Sequence, residues 1–433
     1  MNKYWQLPQD LLLGTATASL QIEGGDRNNN WYRFCEEGRI KDGTHCIIAA
    51  DHWNRVEEDI ALMKEMHQDT YRMSLEWSRI EQEAGVFNEE ALEHYHDELS
   101  KLVAAGIRPC VTLHHFSHPL WLENAGGWID QRVVASFVRY TAKVIQVFGG
   151  LVSDWVTINE PSVYLYEGYI EVNAPPAKSN IVSYMKGARN MIAAHIEAYK
   201  TIHQIRQSMG YTDTRVGVAN HIRVFDPIST DIRDRMASGI LDHVFHRIFL
   251  EGMIKGNFLF PIGLGGYPYG QGTFCDFLGI NYYSRDRVAF TWNPANAFGK
   301  LTVEQGAPTS EMGWEIYPEG LYLVCARLYA KYPMPIFITE NGICDATDEK
   351  RSQFLIDHLK QVIRLREEGI SVERYYHWSL IDNFEWAEGL SRRFGLIHVD
   401  YETLQRTIRP SGRLYAQICK DRLVPGEAEF VSK

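Results

Sequence analysis

What the 433-residue chain lacks narrows its class first. It has no CxxC pair. Its 7 cysteines (35, 46, 110, 275, 325, 344 and 419) are odd in number and scattered. That excludes a fully paired disulfide scaffold and zinc-knuckle spacing, and points to a reducing compartment. Basic residues are in deficit, 44 Lys+Arg against 55 Asp+Glu for a net charge of −11. With no basic block either, neither nucleic acid nor an anionic membrane is expected as a main partner. The opening MNKYWQLPQD lacks the basic and apolar regions of a signal peptide, so a cytoplasmic location is expected. The uncharged stretch Gly256–Cys275 is rich in Gly and Pro and reads as an ordered loop rather than a membrane helix. No GxGxxG or GK[ST] turn follows the first strand-like run, which removes the dinucleotide and phosphate-loop readings. No HxH closes a strand and no HExxH lies on a helix, so neither a metal nor another cofactor is expected.

What is present is a recurring unit: an apolar, β-branched run, a polar segment, then an amphipathic stretch. The predicted strands are Leu12–Ser19, Thr70–Glu76, Arg108–Phe116, Asp154–Glu160, Arg215–Ile222, Phe277–Ser284, Pro335–Glu340 and Glu373–Leu380. Helical patterns fall between most of them, as at His195–Gly210 and Phe354–Gly369. Eight such alternations, with no linker-like shift in composition, predict one (β/α)8 barrel spanning residues 1–433. Aromatics at 12% suit either a large aromatic core or a carbohydrate-facing surface.

In a barrel of this kind the chemistry sits where strands end. Polar residues cluster at seven of those ends. Gln21 follows the first run, Arg72 and Glu76 lie on the second, and His114 and His115 close the third. Asn159 and Glu160 close the fourth, Asn281 and Tyr283 the sixth, and Glu340 and Asn341 the seventh; Trp378, Glu385 and Trp386 follow the eighth. Glu160 and Glu340 each end a run that is otherwise built for burial. Two such carboxyls suit glycosidic cleavage, where one group must be protonated and the other ionised. Burial and a neighbouring negative charge raise the pKa of the acid, whereas a cation and hydrogen-bond donors keep its partner ionised. Arg72 is the candidate cation and the Tyr283 hydroxyl a candidate donor.

The segments LLLGTATASLQIEG, DHWNRVEEDI, YRMSLEWSRI, VTLHHFSHPLWL, TINEP, FLGINYYSR, MGWEIYPEGLY, ITENG and HWSLIDNFEWAEGLSRRFGLIHVDY together resemble glycoside hydrolase family 1, the β-glucosidase family of retaining enzymes. The resemblance spans nearly the whole chain. It implies Glu160 as acid/base and Glu340 as nucleophile. It also implies a sugar pocket of Gln21, His115, Asn159, Glu385 and Trp386 over a Trp378 floor, with His114 structural. Trp314 is left between lining the leaving-group side and packing beneath its loop. Members acting on 6-phosphorylated sugars resemble one another in a small hydroxyl residue at the Glu385 position, Lys at Arg392 and Tyr at Phe394. Glu385 and Phe394 therefore favour small neutral β-glycosides and oligosaccharides. A phosphoglycosidase and a catalytically silent sugar-binding barrel stand as the alternatives, and oligomeric state stays open. The chain departs from the family pattern at Ser162-Val163, at Phe116 and in VNAPPAKSN, in a manner resembling archaeal-type β-glycosidases, which leaves the preferred sugar open.

Overall fold

A computed structural model describes residues 4–426. Eight parallel strands close into a barrel: β1 (Leu12–Ala16), β2 (Thr70–Ser74), β3 (Arg108–His114), β4 (Asp154–Asn159), β5 (Arg215–His221), β6 (Leu278–Asn281), β7 (Ile336–Gly342) and β8 (Val372–Trp378). Each pairs with its sequence neighbour, and β8 pairs with β1. All eight predicted strands are present. Several predicted strands run past the observed C-terminal ends, β1 and β2 among them. The cause is burial: Thr17–Ser19 and Leu75–Glu76 lie beyond the regular ladder but remain packed inside, so the apolar pattern outlasts the regular pairing. Each segment keeps one backbone bond to the next strand, Thr17 N–H to the Arg72 carbonyl and Leu75 N–H to the Thr112 carbonyl.

The barrel interior is filled by Val156, Ala219, Phe277, Phe337, Tyr376 and their neighbours, so it is a packed core rather than a pore. Two of the long helices between the strands start on side-chain caps. Asn88 accepts from Glu90 and Ala91 before Glu89–Ala104, and Asn180 from Val182 and Ser183 before Ile181–Ser208. The two predicted helices fall within Ile181–Ser208 and Arg351–Glu367, apart from the residues at their C-terminal ends. The Gly-rich stretch after Lys255 forms neither helix nor strand up to Leu278. Among the described residues no helix is long and apolar enough to cross a membrane.

Candidate active site

The strands that carry the two glutamates are irregular where it matters. On β4 the pairing with β5 jumps between Val156 and Asn159, and on β7 the pairing with β8 jumps between Ile338 and Asn341. In each case the β4 or β7 strand carries one residue more than its partner. Such bulges re-aim side chains near a strand's end, and here they turn Asn159, Glu160 and Glu340 toward the barrel axis. Glu160 then takes a left-handed backbone, φ 42°, as the N-cap of the helix Pro161–Tyr169, whose first residue is a proline suited to that position. Phe116 (φ 68°) and Trp386 (φ 47°) share this conformation. For residues with a Cβ it costs about 1–3 kcal/mol each, and such strain gathers at working sites.

A single buried network ties these side chains together. Arg72 Nη1 donates to Glu340 Oε1 at 2.6 Å, and its Nη2 to Asn159 Oδ1 at 2.7 Å. The Tyr283 hydroxyl donates to Glu340 Oε2 at 2.6 Å, so both oxygens of that carboxyl are held. Asn281 Nδ2 donates to Glu160 Oε1 at 2.8 Å and to Asn159 Oδ1 at 3.1 Å. Asn159 Nδ2 in turn donates to His115 Nε2 at 2.9 Å. That contact makes Nε2 the acceptor and puts the ring proton on Nδ1, which is buried without a protein partner. Burial, with Arg72 and His114 adding, holds His115 well below its ordinary range and hence neutral. Gln21 donates to Glu385 Oε2 (3.2 Å), Asn383 Oδ1 and the Phe384 carbonyl, while its own Oε1 is buried and unpaired. An unpaired donor and acceptor beside one cavity are what a ring of sugar hydroxyls would satisfy.

The carboxyls titrate unlike one another. Burial pushes Glu340 up to about 7; Arg72 opposes the rise and the charge on Glu160 adds to it. Glu385 is only partly exposed to the cavity and set deep in the protein. Its surroundings, with the charges of Glu340 and Glu160, push it up to about 8 against the pull of Gln21. Glu160 is also pushed up by burial, but the His221 ring, then Asn281 and Arg72, hold it below its usual range. This reverses the order expected from sequence, in which the carboxyl of Glu160 was to be raised and that of Glu340 kept ionised. The physical reason is His221 Nδ1, 2.9 Å from Glu160 Oε1. Sequence reading passed over His221, although it closes β5 and obeys the placement rule that found the other seven ends.

The cavity above this network has a volume of about 340 Å³. Its wall includes His115, Asn159, Glu160, Tyr283, Trp314, Glu340, Trp378, Glu385, Trp386 and Phe394. Arg72 and Asn281 stand behind that wall as supports, and Gln21 sits beside Glu385 at its edge. Trp314, left open by the sequence, lines the cavity edge-on to Tyr283 at 5.6 Å. Trp31 and Phe116 extend the aromatic face, packing on Trp386 at 4.9 and 5.0 Å. Trp31 lies on no strand end, and nothing in its local sequence singles it out. His114 accepts from the Trp128 indole N–H at 3.1 Å and faces away from the cavity.

Comparison with known proteins gives the family. The family model described as glycosyl hydrolase family 1 matches residues 3–262 and 272–423. β-Glucosidase A of Thermotoga maritima is 32% identical over 96% of this chain and 98% of its own. A β-galactosidase of Sulfolobus acidocaldarius is 30% identical over 98% and 90%. The structure of a β-glycosidase from Pyrococcus horikoshii superposes with a TM-score of 0.90 at 35% identity, covering 98% of this chain and 96% of that one. The chain belongs to glycosyl hydrolase family 1 and is an O-glycosyl hydrolase of the β-glycosidase type.

Proposed function

We propose that the protein is a retaining exo-β-glycosidase that removes terminal, non-reducing β-linked sugars, glucose first, with galactose and fucose also accepted. The observation that carries this reading is the contrast between Glu340, pinned at both oxygens by Arg72 and Tyr283, and Glu160, facing it across one cavity. A guanidinium on one oxygen and a neutral hydroxyl on the other oppose the rise that burial imposes on Glu340 and fix its attack line. Glu340 attacks the anomeric carbon as Glu160 gives its proton to the departing oxygen, and the glycosidic C–O bond breaks. Once Glu340 is an ester its negative charge is gone. Glu160 then takes a proton from water, whose oxygen displaces the ester and frees Glu340. Before the first step the substrate must move a proton onto Glu160. An aglycone oxygen beside Glu160 favours its acid form, and Arg72 with Tyr283 accepts the matching charge on Glu340.

Asn159, His115 Nδ1–H, Glu385 and Gln21 would bind the sugar hydroxyls, and the Trp378 indole would cover the ring's apolar face. A carboxyl at Glu385 with its pKa near 8 can give as well as accept a hydrogen bond to a hydroxyl. The names of the relatives, a β-glucosidase and a β-galactosidase, support a neutral hexose. A 6-phosphorylated sugar is disfavoured because its dianion would join three carboxyls whose one arginine partner is Arg72, while the cavity-lining Lys41 and Arg223 are already paired with Glu388 and Asp286. Arg392 is no substitute; it is spent on Glu388 and the Glu311 carbonyl. We read the whole chain as one catalytic unit, working in the cytoplasm without metal in its chemistry.

Hydrolysis of p-nitrophenyl β-glucoside, galactoside, fucoside, mannoside and glucoside 6-phosphate tests the substrate. Release from the neutral glycosides is expected, and release from the phosphate alone would overturn the assignment. Glu340→Ala should abolish turnover, with azide restoring part of it and giving the α-azide. Near-normal turnover in that variant would sink the role of Glu340. Glu160→Ala should spare the first step only for substrates with very good leaving groups; equal loss on all of them would remove its acid role.

A further inference from the structure

We infer that Cys35, His45 and Cys46 form a structural site for a thiophilic divalent cation of the zinc class, independent of the catalytic reading above. Among the described residues this is the group whose ligand atoms, two sulfurs and a ring nitrogen, all lie within 4.8 Å of one another. A tetrahedral ion with metal–sulfur bonds near ~2.3 Å and metal–nitrogen bonds near ~2.0 Å spaces its donors about 3.5–4 Å apart, so closing the site takes about 1 Å of movement. Both thiols are buried free cysteines in contact with each other. The spacing C-x9-HC matches no knuckle pattern. The loop after the helix Asn30–Glu36 folds back to bring the three groups together.

The histidine is held in the form a metal requires. The Ile47 backbone N–H donates to His45 Nδ1 at 3.0 Å, which leaves that nitrogen unprotonated. The proton is then on Nε2, 3.1 Å from Glu36 Oε1. A carboxylate on the far nitrogen of a ligating imidazole is the usual outer support of a zinc site. On binding, Nδ1 exchanges the Ile47 contact for the ion. Each thiol releases a proton, so one divalent ion replaces two protons and the site stays neutral; a water completes the fourth position.

The location gives the ion a role. Lys41 N–H donates to the Ala387 carbonyl at 2.8 Å, Leu390 N–H to Thr44 Oγ1 at 3.0 Å, and Ser391 N–H to Asp42 Oδ2 at 2.9 Å. The fit is close enough that a Cβ on Gly389 would fall 1.9 Å from Asp42 Oδ1. The same loop therefore grips the segment that carries Glu385 and Trp386. An ion at Cys35, His45 and Cys46 would fasten this strap to the helix bearing Trp31 without touching the reacting atoms.

The test uses the full chain, purified under reductant, stripped with a chelator and titrated with Co²⁺ and then Zn²⁺. Expected are one equivalent of cobalt, tetrahedral visible bands with a near-ultraviolet sulfur-to-cobalt band, release of about two protons, displacement by Zn²⁺, and a Tm that rises with free zinc. Cys35→Ser and Cys46→Ser should each remove the sulfur band and weaken binding at least tenfold. His45→Asn should weaken it while leaving the sulfur band at high cobalt. Absence of the sulfur band in the wild type would overturn the inference. So would unchanged stoichiometry in the Cys35→Ser/Cys46→Ser double variant, or a Cys35–Cys46 cross-link in protein kept anaerobic with reductant. None of these readouts depends on glycoside hydrolysis.

Discussion

The two ends of β4 carry buried carboxyls in opposite electrical surroundings. At its start Asp154 accepts from Arg108 Nε and Arg215 Nε, both at 2.8 Å, with Arg374 Nη2 at 3.7 Å. Arg215 and Arg374 also lie over the Phe337 ring, 4.9 and 5.0 Å from its centroid. At the strand's far end Glu160, Glu340 and Glu385 share one arginine, Arg72, which pairs with Glu340. Three arginines for two acids, Asp154 and the Glu373 that Arg215 also holds at 2.6 Å, make a closure that resists change. One arginine and the His221 ring among three acids make a site whose protons can move. The same strand thus supports stability at one end and chemistry at the other, as the architecture of such barrels favours.

That contrast can be broken. The largest effect is expected from Arg72→Met, which removes the one arginine paired with a carboxyl of the crowded end. kcat/KM should fall about 10³-fold, the scale for losing a preorganised electrostatic donor, while Tm moves little because Glu340 can take up a proton instead. A large loss of Tm with activity kept would abolish the distinction. Asp154→Ala should do the reverse: a loss of about 3 kcal/mol in chemical denaturation with KM and kcat near wild type in the folded fraction. A catalytic defect there, at unchanged stability, would argue against the division.

The smallest and most diagnostic effect concerns Glu385→Gln. The folded pKa of Glu385 is raised to about 8, above its ordinary 4.5. A raised carboxyl contributes stability below pH 4.5 that is lost as pH climbs through 8, because folding must then bury a charge. Glu385→Gln should therefore raise Tm by about 2 °C at pH 8 and leave it unchanged at pH 4–5. Equal shifts at both values would show that the charge is not the cause.

Much of this was legible in the sequence because strand ends announce themselves locally. Glu160 and Glu340 each interrupt a buried run, and Arg72 is a cation inside one. The bulges on β4 and β7 were not legible, since an extra residue is defined only against the partner strand. Trp31 and the Cys35–His45–Cys46 group depend on how loops return across the barrel mouth, which no local period encodes. The order of protonation was missed for a related reason. It hangs on His221, a residue 61 positions from Glu160 that touches it through one nitrogen.

One arginine against three acids has a consequence beyond catalysis. On the sugar site proposed above, a small polyhydroxylated ammonium ion would be drawn to these carboxyls and would favour their ionised forms. Such a cation would neutralise Glu160 and Glu340 together while its hydroxyls took the places meant for the sugar's. Common amine buffers belong to this class, so the ionic composition of the medium becomes part of the enzyme's apparent affinity for its substrate.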